Sequence, residues 1–381
     1  MDRQEAQRVL DSLRKGIPPN GFIGHFTVGR HTEIKQLTTR LRTGEGGTLL
    51  LKANYGSGKS HLLRFVRETA LQEGYAVSSV TLDAKSAVRF NRMDQIMAAI
   101  WRGMEVPDHP GLRGPEPFIS YVVSHLNNSI GSTRSPWFDI TNRWAWDNPN
   151  FLGSGALYTV LRAWARGHEQ DKIVDWLQQP WTHNTNWLVE YTNKRTSCIL
   201  NKSAFNFVRN DYEQSWAMLR AMDTIAHAAD LKGLVILFDE FEDVFNLNNG
   251  NSEVAAFANL FEFYLGRQYT STSYFAITPA FVDKCKARLV RRGNYDFDTT
   301  QFDRLPTFVM SPLERNNLEE LTARVRKAHG IAYDWQPDDH ITEKQMLGCL
   351  DQAIAVPVQD RARHAVKAIV EMLDETLQEL E

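Results

Sequence analysis

Long apolar runs are missing from this 381-residue chain: the longest, such as Leu234 to Phe238, extend about five residues, against the roughly 20 that a membrane-spanning helix needs. No membrane association is predicted. Cysteine is scarce. Cys198, Cys285 and Cys349 are far apart and form no CxxC pair, which excludes a disulfide framework and a cysteine-ligated zinc and predicts a reduced, cytoplasmic protein. Cys285 lies between Lys284 and Lys286, a setting that can favour a thiolate, although an ordinary structural thiol is the blander reading. The eleven histidines include no HExxH, so zinc chemistry is not expected. A charge excess is absent as well. The formal net charge of -3 sets up no global positive field toward nucleic acid or anionic lipid, and any DNA contact would have to come from a local patch or an assembly. With 43% hydrophobic and 23% charged residues, the composition is that of a globular protein of two or three domains rather than a disordered or fibrous chain.

What is present begins with an amphipathic helix. Residues 1–18 carry Ala6, Val9, Leu10 and Leu13 at helical spacing, then Gly16 and Pro18 as stop signals; the lack of a continuous apolar core distinguishes this helix from a signal peptide. Chemistry starts after residue 46. Thr48–Lys52 reads as a short buried strand, and Ala53-Asn54-Tyr55-Gly56-Ser57-Gly58-Lys59-Ser60 follows directly, with a helical pattern at Leu62, Leu63, Phe65 and Val66. This is Walker A spacing with Ala53 in place of the first glycine. Consecutive backbone N–H groups of such a loop and the N-terminus of the next helix can hold phosphate oxygens; Lys59 would reach the β- and γ-phosphates, and Ser60 would ligate Mg²⁺. A turn that uses its glycines only for turning is the alternative.

Residues 233–243, Gly-Leu-Val-Ile-Leu-Phe-Asp-Glu-Phe-Glu-Asp, form a Walker B pattern, in which a buried strand delivers Asp239 to the metal and Glu240 toward the attacking water. Tyr75–Asp83 reads as an intervening strand and Ser273–Thr278 as a later one. Parallel sheets collect ligands at the carboxyl ends of their strands, so Thr278 would stand beside the γ-phosphate in the sensor-1 position, or would cap a strand before the Pro279 turn.

Together these segments resemble the AAA+ and STAND-type ATPases. Val28-Gly29-Arg30-His31-Thr32-Glu33-Ile34 looks like the box that precedes the P-loop in initiator-type members and lies near adenine. Leu13–Pro18, Tyr55–His61 and Leu231–Leu234 running into Asp239-Glu240 look closer to the ATP-binding proteins of BREX phage-defence systems. The resemblance implies a P-loop NTPase α/β fold of ASCE/AAA+-like type, a parallel sheet with helices on both faces, a Trp-rich insertion and a C-terminal helical lid. It places the first part of the ATPase domain at 19–106, the insertion at 107–204, the second part at 205–310 and the lid at 311–381. It also implies ATP and Mg²⁺ as ligands, with Gly29, Arg30, Asn54, Tyr55, Gly56, Ser57, Gly58, Lys59, Ser60 and His61 around the nucleotide, Ser60 and Asp239 at the metal, and Glu240, Lys59 and Thr278 as catalytic groups. Arg361 or Arg363 would be sensor 2. Arg288, Arg291, Arg292 and Arg304 are candidate arginine fingers, or solvated surface charge.

Ser311-Pro312-Leu313-Glu314 reads as a capping box with Pro at the first helical position, opening a helix that stops at Gly330. Val366, Ile369, Val370, Leu373, Leu377 and Leu380 mark a last helix. The insertion holds Trp137, Trp144, Trp146, Trp164, Trp176, Trp181 and Trp187, with Trp216 just beyond. Base stacking on such rings needs a cationic groove, and residues 108–204 hold nine basic against eight acidic side chains, so a subdomain core or a partner surface is the expectation. No NKxD motif for guanine is present. Initiators carry a winged helix after the lid, and none is expected within these 381 residues. The expected function is an ATP-hydrolysing switch or remodelling factor, in a homo-oligomer or in a hetero-complex with other defence proteins, with DNA contacted through the assembly. The alternatives are a non-hydrolysing ATP-dependent scaffold and a DNA-stimulated motor.

Overall fold

The computed structural model describes residues 1–54, 57–82, 88–128, 152–179, 185–195, 200–208, 212–247, 250–265, 271–291, 293, 297–358 and 360–380. Within these the chain forms two compact units, one of residues 1–39, 51–68 and 308–381, the other of 40–50 and 69–307.

The second unit contains the body of a six-stranded sheet: β1 (Gly47–Lys52), β2 (Ala76–Thr81), β3 (Met104–Glu105), β4 (Leu234–Asp239), β5 (Thr272–Ile277) and β6 (Thr307–Val309), in the order β3-β2-β4-β5-β1-β6. β2 and β4 run parallel, with Ala76 opposite Leu234 and Thr81 opposite Asp239, and β4 and β5 run parallel with Phe238 opposite Phe275. The expected parallel sheet needs one correction, since β3 pairs antiparallel with β2. The chain leaves α4 (Met93–Arg102) through Gly103 straight into β3, and a Cβ on Gly103 would run into the Ser79 carbonyl, so only glycine allows this close reversal against β2.

Strands β4 and β5 are buried along almost their whole length, which is why they read as unbroken apolar runs rather than alternating ones. The hydroxyls inside the sheet are satisfied locally: Thr48 and Ser273 bond each other at 2.7 Å and Ser78 donates to the Ile100 carbonyl at 2.8 Å. Phe238 stacks on Phe275 with ring centres 4.4 Å apart, and Phe90 meets Phe238, Phe241 and Phe275 edge-on. Each such aromatic pair contributes about 0.5–1.5 kcal/mol beyond its buried area.

The same core continues into α4, α5 (Pro115–Asn128), α6 (Gly155–Ala165), α7 (Gln170–Gln178), α8 (Asn186–Arg195) and α9 (Glu213–Ala228). Trp164, Trp176 and Trp216 are buried in it and Trp187 packs half-buried against it, so the first three indoles offer no free face for base stacking. Trp137, Trp144, Trp146 and Trp181 lie outside the described residues, as does Cys198. Two further helices, α10 (Gly250–Leu265) and α11 (Phe281–Arg291), complete the unit. On α11, Cys285 is fully buried, and burial together with the nearby Glu253 carboxylate pushes its thiol well above the ordinary range. The flanking lysines therefore do not make it a thiolate.

The first unit joins α1 (Arg3–Arg14), α2 (His31–Thr43, of which 31–39 fall here), the start of α3 (Lys59–Gln72), and three C-terminal helices, α12 (Arg315–Tyr333), α13 (Glu343–Ala355) and α14 (Arg361–Leu380). The apolar face of α1, Ala6, Val9, Leu10 and Leu13, packs into one core with Val325, Ala328, Ala332, Ile369 and Leu373. Helix α12 departs from expectation at both ends. It starts at Arg315 with Glu314 as N-cap and the Glu314 N–H bonded to Asn317 Oδ1 at 2.9 Å, because the Ser311 carbonyl is held by Arg30 at 2.7 Å and the chain from Ser311 to Glu314 stays outside the helix. It also runs through Gly330 to Tyr333, ending on Asp334 in the left-handed region. Gly330 is there for close approach, since a Cβ would lie 2.9 Å from the Trp335 carbonyl oxygen.

A polar clamp fastens α1 to α14. Arg14 forks onto Asp374 through Nε at 2.8 Å and Nη2 at 2.7 Å, and Nη2 also reaches the Tyr333 hydroxyl. His329, fully buried, bonds Asp374 Oδ1 at 3.0 Å and accepts the Trp335 indole N–H at 2.9 Å. Because the indole can only donate, Nδ1 is unprotonated and the ring is neutral. Burial alone would raise the Asp374 carboxyl, but the hydrogen bonds from Arg14 and His329 outweigh it and hold the group below the usual carboxylate range. Arg14→Ala is expected to cost about 1–3 kcal/mol in urea unfolding, since it strands a half-buried carboxylate; a change below about 0.5 kcal/mol would contradict the clamp.

Candidate functional site

The Walker A segment belongs to the first unit. After β1 the chain passes Ala53 and exposed Asn54; Tyr55 and Gly56 lie outside the described residues; then Ser57 and Gly58 lead into α3, whose first residue is Lys59. Gly58 has φ +90, a conformation that glycine adopts without strain. The Leu62 N–H bonds the Gly58 carbonyl at 2.9 Å, so the helix begins on the glycine, and the N–H groups of its first turn have no intrahelical acceptor. That end carries the positive pole of the helix. Lys59, 8% exposed, donates through Nζ to the carbonyls of Ala53 at 3.0 Å and Asn54 at 3.4 Å; Ser60 is exposed.

The Gly29-Arg30 box lies in the same unit. Gly29 has φ +60, and a Cβ there would collide with the Asn317 side chain. Arg30 points its guanidinium inward, donating to the Ser57 carbonyl at 2.7 Å as well as to Ser311. The ring of His61 is tied to Thr27, with Nε2 and Oγ1 2.8 Å apart. Since the Thr27 hydroxyl donates to the Ile23 carbonyl, Nε2 is the donor to it and Nδ1 carries no proton. Burial, with Arg30 and Arg64 nearby, pushes this histidine down to about 4. Thr27, Asn317 and the Ser311 carbonyl belong to no nucleotide-binding motif, and only the fold brings them to Gly29, Arg30 and His61. Arg361 donates from Nε to the Val356 carbonyl at 3.3 Å, just past the end of α13, and the stem of Arg363 lies against Gly16.

The acidic pair belongs to the second unit. Asp239 is the last residue of β4 and Glu240 follows it, exposed, at φ 55 and ψ 38. A non-glycine residue in the left-handed region is uncommon and is concentrated where a side chain must be re-aimed. Here the turn lets the Glu240 N–H donate to Asp239 Oδ1 at 3.0 Å. Thr278, just beyond β5, is buried, and its hydroxyl has no hydrogen-bond partner among the described residues; only its carbonyl serves the following helix, accepting the Phe281 N–H. Of the candidate fingers, Arg288 is committed to the buried Glu253 carboxylate and the Phe245 carbonyl, Arg291 and Arg304 are exposed, and Arg292 lies outside the described residues.

A family model described as BREX system ATP-binding protein BrxC/D matches residues 1–114 and 155–381. The chain belongs to this family. Comparison with curated proteins and with solved structures gives no match. The Lys59 loop, the Asp239-Glu240 pair, the Gly29-Arg30 box and the three C-terminal helices all fall within the BrxC/D match.

The depressed His61 predicts an acid sensitivity of the first unit. Between pH 6.5 and about 4 the unfolded chain binds a proton that the folded chain refuses, so stability is unaffected above 6.5 and declines as pH falls through that window. His61→Gln, which keeps a donor for Thr27 but does not titrate, is expected to flatten the decline by roughly 1–3 kcal/mol at pH 4, read as denaturant midpoints across pH. Parallel curves for the two proteins would contradict the assignment of a buried neutral ring.

Proposed function

We propose that the chain binds Mg-ATP and hydrolyses it as an AAA+-like switch or remodelling factor of a BREX phage-defence complex. The observation that carries the reading is the glycine-lysine loop opening onto α3 in a member of a family of ATP-binding proteins. Two features support it. The buried hydroxyl of Thr278, without a partner among the described residues, suits a phosphate oxygen or the attacking water, because a buried polar atom without a partner is otherwise costly. The donor set also fits the metal, since Mg²⁺ is held by one or two protein oxygens plus phosphates and needs no preformed cage.

In this reading the N–H groups at the start of α3 cradle phosphate, Lys59 leaves the Ala53 and Asn54 carbonyls to neutralise the β- and γ-phosphates, and Ser60 and Asp239 hold Mg²⁺, which when bound screens charge on the phosphates. Glu240 orients the water and accepts its proton. With the Arg30 side chain engaged elsewhere, the backbone of Gly29 and Arg30 is what remains for the base, and Arg361 stays the candidate for sensor 2. No helix among the described residues is long and apolar enough to cross a membrane. A cytoplasmic assembly, a homo-oligomer or a hetero-complex with other defence proteins, is the proposed setting, with DNA reached through the assembly.

Steady-state phosphate release tests this. Glu240→Gln is expected to reduce turnover by roughly 100-fold or more, the scale of a lost general base, while ATP remains bound, whereas Lys59→Ala is expected to abolish binding. Equal background rates in wild type and Glu240→Gln would overturn hydrolysis and leave the non-hydrolysing scaffold. Turnover raised several-fold by DNA would instead favour a motor.

A further inference from the structure

Arg30 is 4% exposed, yet the carboxylate bridged to it, Glu33 Oε1, stands 3.5 Å away. Its short contacts go to two main-chain carbonyls, Ser57 in the loop before α3 and Ser311 ahead of α12, each at 2.7 Å. A guanidinium presents its donors in a fixed plane, so one side chain sets the separation and direction of both acceptors; an ammonium on a flexible stem does not. The Ser57 carbonyl belongs to the same planar trans peptide as the Gly58 N–H. Holding the oxygen therefore fixes the opposite direction of the N–H, one of the donors through which a Walker A loop meets phosphate.

The residues around Arg30 repeat the link in both directions. Toward α3, Thr27 bonds His61, and the Glu68 carboxylate accepts the N–H groups of Gly21 and Ile23. Toward α12, Gly29 lies flush against Asn317, and Arg324 donates to the carbonyls of His25 at 2.7 Å and Thr27 at 3.2 Å. Residues 21–30 are thus fastened to the loop helix on one side and to the first C-terminal helix on the other, all within one compact unit.

We propose that Arg30 is a positioning residue that couples phosphate binding at the Ser57–Ser60 loop to the packing of α12–α14. Reorientation of the Ser57–Gly58 peptide is transmitted through the guanidinium to Ser311 and so to the start of α12, and the C-terminal helices are the output of the nucleotide site. The coupling rests on the ATP-binding reading given above.

The test is hydrogen exchange of the full chain across α12–α14 with and without Mg-ATP, alongside ATP affinity by calorimetry and thermal melting. In the wild type, ATP is expected to slow exchange in the first turns of α12 at least threefold. Arg30→Lys, which keeps the buried charge and one carbonyl contact, should melt near the wild type, bind ATP about tenfold more weakly and, at saturating ATP, show less than 1.5-fold slowing; a merely structural arginine would not separate these readouts. Arg324→Ala removes the strap from its partly exposed side without touching the loop, and should keep ATP affinity within threefold while losing at least half of the slowing. Wild-type slowing in both variants, or a wild type that binds ATP with no change in α12–α14, overturns the coupling alone. A wild type that fails to bind ATP overturns the nucleotide reading and the coupling with it.

Discussion

A strand buried on both faces has no place for charge except at its ends, and the rest of the second unit follows from that constraint. From Leu234 to Phe238 every side chain of β4 is buried, so Asp239 is the first position where a carboxylate can keep its hydration. The aromatic packing of Phe90, Phe238, Phe241, Phe263 and Phe275 fixes that end against β2 and β5, and the left-handed turn at Glu240 then directs two successive carboxylates differently. An acid pair at the end of an apolar strand is therefore as much a statement about dielectric as about chemistry.

In the first unit the corresponding constraint is carried by arginine. Arg30 and Arg14 each sit where helices converge, and each is satisfied by acceptors distant in sequence, carbonyls in one case and a carboxylate backed by His329 in the other. Polar networks of this kind contribute less to net stability than apolar packing does, yet they penalise any arrangement that leaves a partner unpaired. That gives α1 a single seat on α12 and α14, and ties the direction of the Ser57 carbonyl to that of Ser311.

The tryptophan-rich helices illustrate how composition and role part company. Indoles on a charge-poor segment suit a stacking platform or a core equally well as a list of residues. Trp164, Trp176 and Trp216 enter the same core as the sheet, where large rings fill volume between helices that β-branched residues cannot span.

The sequence by itself determined the features that depend on neighbours a few positions away. The apolar runs that become β1, β4 and β5, the glycine before Lys59 and the amphipathic face of α1 were all legible, because strand and helix periodicity and turn chemistry are local, and so was the placement of Asp239-Glu240 at a strand end. Tertiary structure alone decided the rest. The antiparallel β3 follows from the tight contact of Gly103 with Ser79; α12 starts at Arg315 because Arg30, far back in the chain, holds the Ser311 carbonyl; Gly330 lies within a helix because Trp335 folds back onto it; Cys285 is governed first by its burial and then by Glu253 on α10, and Arg288 is paired with that same carboxylate. In each case a group's behaviour was set by a partner that the fold brings near and that no local pattern announces.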